Sequence, residues 1–395
     1  MKVGNKADGA DFFDRDTERE DLWRYLAGNH IVLSGPRRLG KTSLLQRLAD
    51  EAEDKGYLAQ LIDLEGIDSA EDFLGEIDRA FPEKAVARWI KNAGDFVVRQ
   101  LNRARKVDVQ LPDGVSVGVD LQGVASPRWQ QQAVTLQRRL SPAPVLLLLD
   151  EFSVFLEKML THDVRETERL LGWLRAWRQQ GNLSCRVLFS GSIGINSLLD
   201  RYRLSTRFND CHDFRLGPFK RQAALAMLAE ETRREGWPPD AGCLEHLCDR
   251  VGWLSPFFLN LLLDGTIIAA RDRLQETEAT PGCLRQSDVD DAYDRLLATR
   301  SRFIHWRQRL ERDLEEPRRS FALAVLSAVA KPDGGLSRKQ LLARLQRLEP
   351  DPDKRADRLD DILLLLEEDG YLATDERICF LSFLLRDYWR RNHDR

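Results

Sequence analysis

Gly35-Pro36-Arg37-Arg38-Leu39-Gly40-Lys41-Thr42-Ser43, within the run HIVLSGPRRLGKTSLL, is the stretch on which the fold turns. Its spacing fits G-x-x-x-x-G-K-[ST]. Before it lies a short apolar run, His30 to Leu33, and after it a helical pattern, SLLQRLADEAEDKG. Such a loop has to wrap a phosphate so that successive backbone N–H groups point inward, which demands residues that tolerate unusual dihedrals. Lys41 would bring a point charge to β- and γ-phosphates, and the Thr42 hydroxyl would take a Mg²⁺ position. The helix that starts here adds the positive end of its dipole. Gly35 to Ser43 is therefore the candidate cofactor-binding loop.

A phosphate loop alone hydrolyses nothing. It needs a strand ending in a carboxylate, and Val145-Leu-Leu-Leu-Leu149-Asp150-Glu151 supplies one. Five successive aliphatic residues suit a strand buried on both faces of a parallel sheet. Asp150 would be the metal-side acid with Thr42, and Glu151 would orient or deprotonate the attacking water. A further strand, Arg186 to Ser190, ends in Phe-Ser-Gly-Ser. Ser190 and Ser192 are both candidates to touch the γ-phosphate or the water; a plain turn is the alternative.

Working outward, strands alternate with helices up to about residue 217: helix Thr17 to Ala27, strand Tyr57 to Asp63, helix Ser69 to Phe81, helix Trp129 to Leu140, helix Arg165 to Gln179. That order predicts a parallel α/β sheet. An alternating segment around Pro112-Asp113-Gly114 predicts a hairpin insertion at about 105–123, following a helical stretch from Val86 to Ala104. From Pro218 the strands vanish, and residues 218–316 read as a helical lid. Residues 317–395 give three helices (Phe321 to Ala330, one capped by Ser337, Ala356 to Glu368) and two strand-like pieces, the order of an α+β winged helix-turn-helix.

The 395 residues carry 60 basic against 64 acidic side chains, a net charge of −4, which excludes a globally basic nucleic-acid binder. No apolar run reaches the roughly 18 residues of a membrane span. No export signal is apparent, so a cytoplasmic location and no membrane partner are expected. Six scattered cysteines include no C-x-x-C pair, and the cluster Cys243, His246, Cys248 reads as core in place of a metal site. Asn5-Lys-Ala-Asp8 matches a guanine-reading pattern, but it precedes the phosphate loop instead of following it, which disfavours guanine.

With these motifs assembled, FFDRDTEREDL, GPRRLGKTSLL, LLLLDEF and LFSGS together resemble the archaeal-type P-loop ATPases, which bridge the AAA+ and STAND groups and are related to origin-recognition ATPases. The likeness covers roughly Phe12 to Pro256 and more loosely the winged helix. It implies ATP and Mg²⁺ as cofactors. It also implies that Phe13, Asp14 and Arg15 lie beside the adenine, and that Arg207 could reach a neighbouring subunit's γ-phosphate, with Arg201 and Arg203 as competitors. Gly252-Trp-Leu-Ser-Pro256 resembles the family's turn into a lid helix, although no arginine opens the helix after it. Arg37 and Arg38 could meet the nucleotide or form a structural ion pair.

The third winged-helix segment, Asp351 to Gly370, carries eight acids against Lys354, Arg355 and Arg358. Phosphate contacts dominate nucleic-acid affinity, so this segment is a poor reader of DNA. Arg338, Arg344, Arg386, Arg390 and Arg391 could still form a patch. The reading is an ATP-binding and hydrolysing switch whose nucleotide state controls self-assembly, as a homo-oligomer, or engagement of a protein partner through the winged helix. The alternatives are a DNA-associated ATPase of loader or transposition-regulator type and the ATPase component of an anti-phage defence system.

Overall fold

The computed structural model describes residues 13, 15–92, 128–180, 184–191, 194–277, 282–299 and 303–393. The expected hairpin at 105–123, most of the helix expected over Val86 to Ala104, Asn5 to Asp8, Asp14 and Ser192 lie outside them. Five strands build one sheet: β1 (His30–Ser34), β2 (Leu58–Asp63), β3 (Val145–Asp150), β4 (Arg186–Ser190) and β5 (Cys211–Arg215). Their order is β2-β3-β4-β1-β5, and every neighbouring pair is parallel. All six residues of β3 are buried, as a continuous aliphatic run in a parallel sheet requires.

The pleat sorts side chains to two cores. Ile31 and Leu33 of β1 and Leu146 and Leu148 of β3 face one; Val32, Val145, Leu147 and Leu149 face the other. The second core is closed by α3 (Ala70–Ala80), α4 (Glu83–Asn92), α5 (Arg128–Leu140), α6 (Phe152–His162), α7 (Val164–Arg178) and α8 (Ile195–Arg201). Phe73, Phe152, Phe155, Phe189 and Phe208 stack edge and face within it.

The first core takes α1 (Asp16–Leu26), α2 (Lys41–Glu51) and every later helix. These are α9 (Arg221–Glu235), α10 (Cys243–Val251), α11 (Pro256–Thr277), α12 (Gln286–Ala298), α13 (Ile304–Asp313), α14 (Arg318–Ala330), α15 (Arg338–Arg344), α16 (Pro352–Glu368) and α17 (Phe383–His393). Cys243 and Cys248 are buried in that core, and His246 pairs with Asp290 at 3.0 Å. After α16 come two antiparallel strands, β6 (Leu372–Ala373) and β7 (Cys379–Phe380), so the predicted order of three helices and a hairpin is present. α15 opens on a capping box between Ser337 and Gln340. α16 starts earlier than Ala356 because Asp351 accepts from the amides of Asp353 and Lys354, with Pro352 at the first helical position.

Because the strands are parallel, their carboxyl ends share one edge. Leu33 of β1 is in register with Ser190 of β4, and Leu149 of β3 with Phe189. The connection from β1 runs to β2 across β4 and β3, whereas that from neighbouring β4 runs the other way to β5 across β1, and the crevice at such a switch point is where ligands of open α/β sheets bind.

Candidate functional site

The loop from Gly35 to Gly40 occupies this crevice. Gly35 has φ 147°, and a Cβ there would stand 2.6 Å from the Leu216 carbonyl oxygen beyond β5, so only glycine fits. Gly40, at φ 85°, caps α2. Lys41 is 7% exposed, and its Nζ donates to the carbonyls of Gly35 at 2.5 Å and Pro36 at 2.9 Å. Burial pushes its ammonium down to about 8, and Arg37 adds to that, while Glu151 and Asp150 oppose it. Leu39 and Ser43 are buried beside it.

Thr42 Oγ1 donates to Asp150 Oδ2 at 2.6 Å, and the Glu151 amide donates to Asp150 Oδ1 at 3.1 Å. Glu151 caps α6 at φ 51°, a left-handed conformation that costs about 1 kcal/mol or more and turns the chain sharply off the strand. Ser190 is fully buried, and its hydroxyl has no hydrogen-bond partner. A buried orphan hydroxyl costs roughly 1–3 kcal/mol, a cost tolerated at functional edges. The chemistry of this set fits Mg²⁺ and a phosphate chain: a hydroxyl and a carboxylate in contact, a buried ammonium and an unsatisfied hydroxyl at the ends of three strands.

Arg15 ties the N-terminal segment to the loop. It is 3% exposed at φ 74°, donates to the carbonyls of Leu39 at 3.2 Å and Gly217 at 2.9 Å, and lies 4.5 Å over the Phe219 ring. It is a brace between the N-terminal segment, the phosphate loop and the end of β5. Phe13, Thr17, Arg47, Phe219 and Ala223 line a cavity of about 860 Å³ between the N-terminal segment, α2 and the start of α9.

Arg38 turns away from the crevice. At φ 68° it lies 3.6 Å over the Phe257 ring and 5.5 Å from that of Trp306, and its guanidinium contacts His305. Its side chain makes a cation–π contact to the helices, worth about 1–2 kcal/mol when desolvated. Burial and Arg38 together push the His305 imidazole down to about 4, so it meets the guanidinium as a neutral acceptor. Pro256 starts α11, and the preceding Ser255 donates to the Arg38 carbonyl at 2.7 Å, which anchors the turn to the phosphate loop. Arg37 has a buried Nε with no hydrogen-bond partner.

Arg207 stands outside this cluster, on the 3-10 turn Ser205–Arg207, and donates to Glu168 on α7 at 2.8 Å. Sequence reasoning missed three residues that the fold brings to the loop. Gly370, after α16, would place a Cβ 2.7 Å from that of Pro36. Asp369 pairs with Arg309 of α13 at 3.0 Å. None belongs to a local motif, so nothing short-range could have found them.

No family model matches the chain, and no curated protein matches it. Among solved structures it is similar to the Walker-type ATPase PABY2304 of Pyrococcus abyssi, at 16% identity over 98% of this chain and 99% of that one, with a TM-score of 0.63. It is also similar to the ORC2 protein of Aeropyrum pernix in its ADPNP-ADP complexes, at 13% identity over 95% and 93% of the two chains, with a TM-score of 0.50. At such identities the likeness is one of fold, an α/β fold built on a five-stranded parallel sheet with the phosphate loop at its edge.

Proposed function

We propose that the chain binds ATP and hydrolyses it with Mg²⁺, as a switch whose nucleotide state controls self-assembly or engagement of a protein partner. The observation that carries this is the 2.6 Å contact between Thr42 and Asp150, with Lys41 buried inside the loop and Glu151 one residue on. The reading agrees with two similar structures, one a Walker-type ATPase and the other complexed with ADPNP and ADP.

In this reading the backbone N–H groups of the loop from Arg37 to Ser43 and the Lys41 ammonium hold the phosphates. Thr42 and Asp150 hold the cation, which neutralises charge developing on the phosphate oxygens. Glu151 orients or deprotonates the attacking water. The Ser190 hydroxyl gains a partner in the γ-phosphate or that water, and the cavity beside Phe13 and Arg15 takes the adenine. Arg207, with Arg201 and Arg203 as competitors, is the arginine offered to a neighbouring copy, and its pair with Glu168, worth no more than about 1 kcal/mol, does not stand in the way.

A protein partner is favoured over DNA by the acidic balance of Asp351 to Gly370, eight acids against three basic residues, and several neighbouring arginines meet carboxylates or carbonyls of their own chain. Arg338 pairs with Asp360, Arg386 with Asp387, and Arg390 with Asp333. Arg344 donates to the Ala328 carbonyl.

The test is ATP turnover by the purified chain, with Lys41→Ala and Glu151→Gln, with and without duplex DNA. Lys41→Ala is expected to lose nucleotide binding. Glu151→Gln is expected to bind ATP and lose about 10²–10⁴-fold in kcat. Full turnover by Glu151→Gln would remove that residue from the water-activating role, and turnover that rises with DNA would put the DNA-associated reading first.

A further inference from the structure

Two side chains from outside the phosphate loop hold it by its carbonyls. Ser255, wholly buried in the turn before α11, donates from its hydroxyl to the Arg38 carbonyl at 2.7 Å. Arg15, 3% exposed, donates to the Leu39 carbonyl at 3.2 Å and to that of Gly217 at 2.9 Å. The contacts fall on successive peptide units, Arg38–Leu39 and Leu39–Gly40.

In a planar trans peptide the C=O and the N–H are locked in opposite directions, so a donor that fixes the carbonyl also fixes the amide behind it. Ser255 thereby sets the direction of the Leu39 N–H, and Arg15 that of the Gly40 N–H. Among the described residues, neither of these amides donates to another group of the chain. Packing does not hold the second peptide: a Cβ built at Gly40 would meet nothing within 4 Å, and glycine turns freely. Both donors, by contrast, are fixed. The Ser255 amide donates to the Trp253 carbonyl at 2.7 Å and its carbonyl accepts from the Leu259 amide at 3.1 Å. Two residues on, the Phe257 ring lies 3.6 Å from the Arg38 guanidinium, so the same turn grips Arg38 by backbone and by side chain. Arg15 is over-determined in its left-handed φ of 74° by the Phe219 ring and by Glu18, 2.7 Å away.

We propose that Ser255 and Arg15 are positioning residues for the nucleotide, which hold the Leu39 and Gly40 amides ready for the phosphate chain. The proposal rests on the ATP reading of the same loop. Donors aimed in advance need no reorganisation when an anion arrives, whereas a loose peptide has to be ordered at the expense of affinity. Lys41 also holds loop carbonyls, those of Gly35 and Pro36, but its ammonium is the group that the phosphates claim. Ser255 and Arg15 act from the carbonyl side and keep their contacts with the nucleotide in place.

The test is the affinity of the full-length chain for Mg²⁺-ADP by calorimetry, together with amide hydrogen exchange of the ADP-saturated chain. The variants are Ser255→Ala, Arg15→Gln and, as a control for lost stability, Asp351→Ala, which removes a cap at the end of α16 away from the loop. Ser255→Ala is expected to weaken ADP about fivefold and Arg15→Gln about tenfold, a neutral against a charged donor, with Asp351→Ala within about twofold. Arg15→Lys, which keeps the charge but reaches a single carbonyl, is expected to fall between wild type and Arg15→Gln, and it replaces the latter if that variant does not fold. Exchange at Leu39 and Gly40 is expected to quicken in the loop variants and not in Asp351→Ala, with β3 unchanged in all. Wild-type affinity in either loop variant would strike that residue from the role. A loss shared by Asp351→Ala, or one without faster exchange at these two amides, would overturn the proposal and leave nucleotide binding standing. A wild-type chain that binds no ADP would overturn both.

Discussion

Gly370 holds a left-handed φ of 82° with the Pro36 ring where a side chain would begin, so Gly370→Ala meets two penalties at once. The dihedral alone costs roughly 1–2 kcal/mol. The variant is expected to lose at least that much in denaturant unfolding, and a wild-type midpoint would mean that the contact with the loop is slack. His30 makes a different prediction. It is buried in β1 and its Nδ1 accepts from the Val187 amide at 3.1 Å, so the ring must be neutral. Burial, then Arg186 and Arg178, pushes it down from the usual 6.5 to about 4. The unfolded chain takes up this proton first, so the stability from the neutral ring is present above pH 6.5 and is lost as pH falls toward 4. The loss is roughly 3 kcal/mol from this residue. His30→Asn, which keeps an acceptor there, is expected to flatten that part of the stability–pH curve. An unchanged curve would show that His30 is not its source.

Elements differ in how openly the sequence declares them. β3 and β4 announce themselves by aliphatic runs because both faces are buried, and the Thr42–Asp150 contact follows once the loop and the strand end are known. β5, Cys-His-Asp-Phe-Arg, lies at the sheet edge with no fully buried residue, so no apolar pattern marks it. α6 is masked for the opposite reason: Phe152, Phe155, Leu156, Met159 and Leu160 are buried immediately after the acidic pair, and the run blends with the strand before it. The seat of α16 on the loop depends on Arg309 and Asp369, 60 positions apart in sequence, and on a turn glycine, none of which has a period or a motif. α16 itself depends on its cap. Asp351→Ala removes the acceptor for two amides and is expected to cost about 1 kcal/mol. Chemical denaturation reads the total, and faster exchange across the first turn of α16 locates it; slow exchange there would deny the cap that role.

At the scale of the molecule, the sheet divides two cores of unequal reach. One is confined to helices α3 to α8, whereas the other runs without a break from Leu22 of α1 through β1 to Leu366 of α16 and Trp389 of α17. A chain ending at residue 316 would strip Leu326, Leu359, Leu366, Tyr371 and Trp389 from that longer, first core. It is expected to melt well below the whole chain or to aggregate, because large apolar surface becomes exposed. A truncated chain with the parent melting temperature would show that the C-terminal part is an independent unit. The same division gives the protein an optical asymmetry. Trp173 and Trp177 stack on one side of the sheet, while Trp306 lies on the other, 4% exposed, with the Tyr371 ring 4.9 Å away and the Arg38 guanidinium above it. Were the end of α16 to lift, water would reach the Trp306 indole and its emission would shift to the red, while the Trp173–Trp177 pair stayed dark to the event. A Trp306→Phe subtraction would make one fluorophore the gauge of whether the loop is covered.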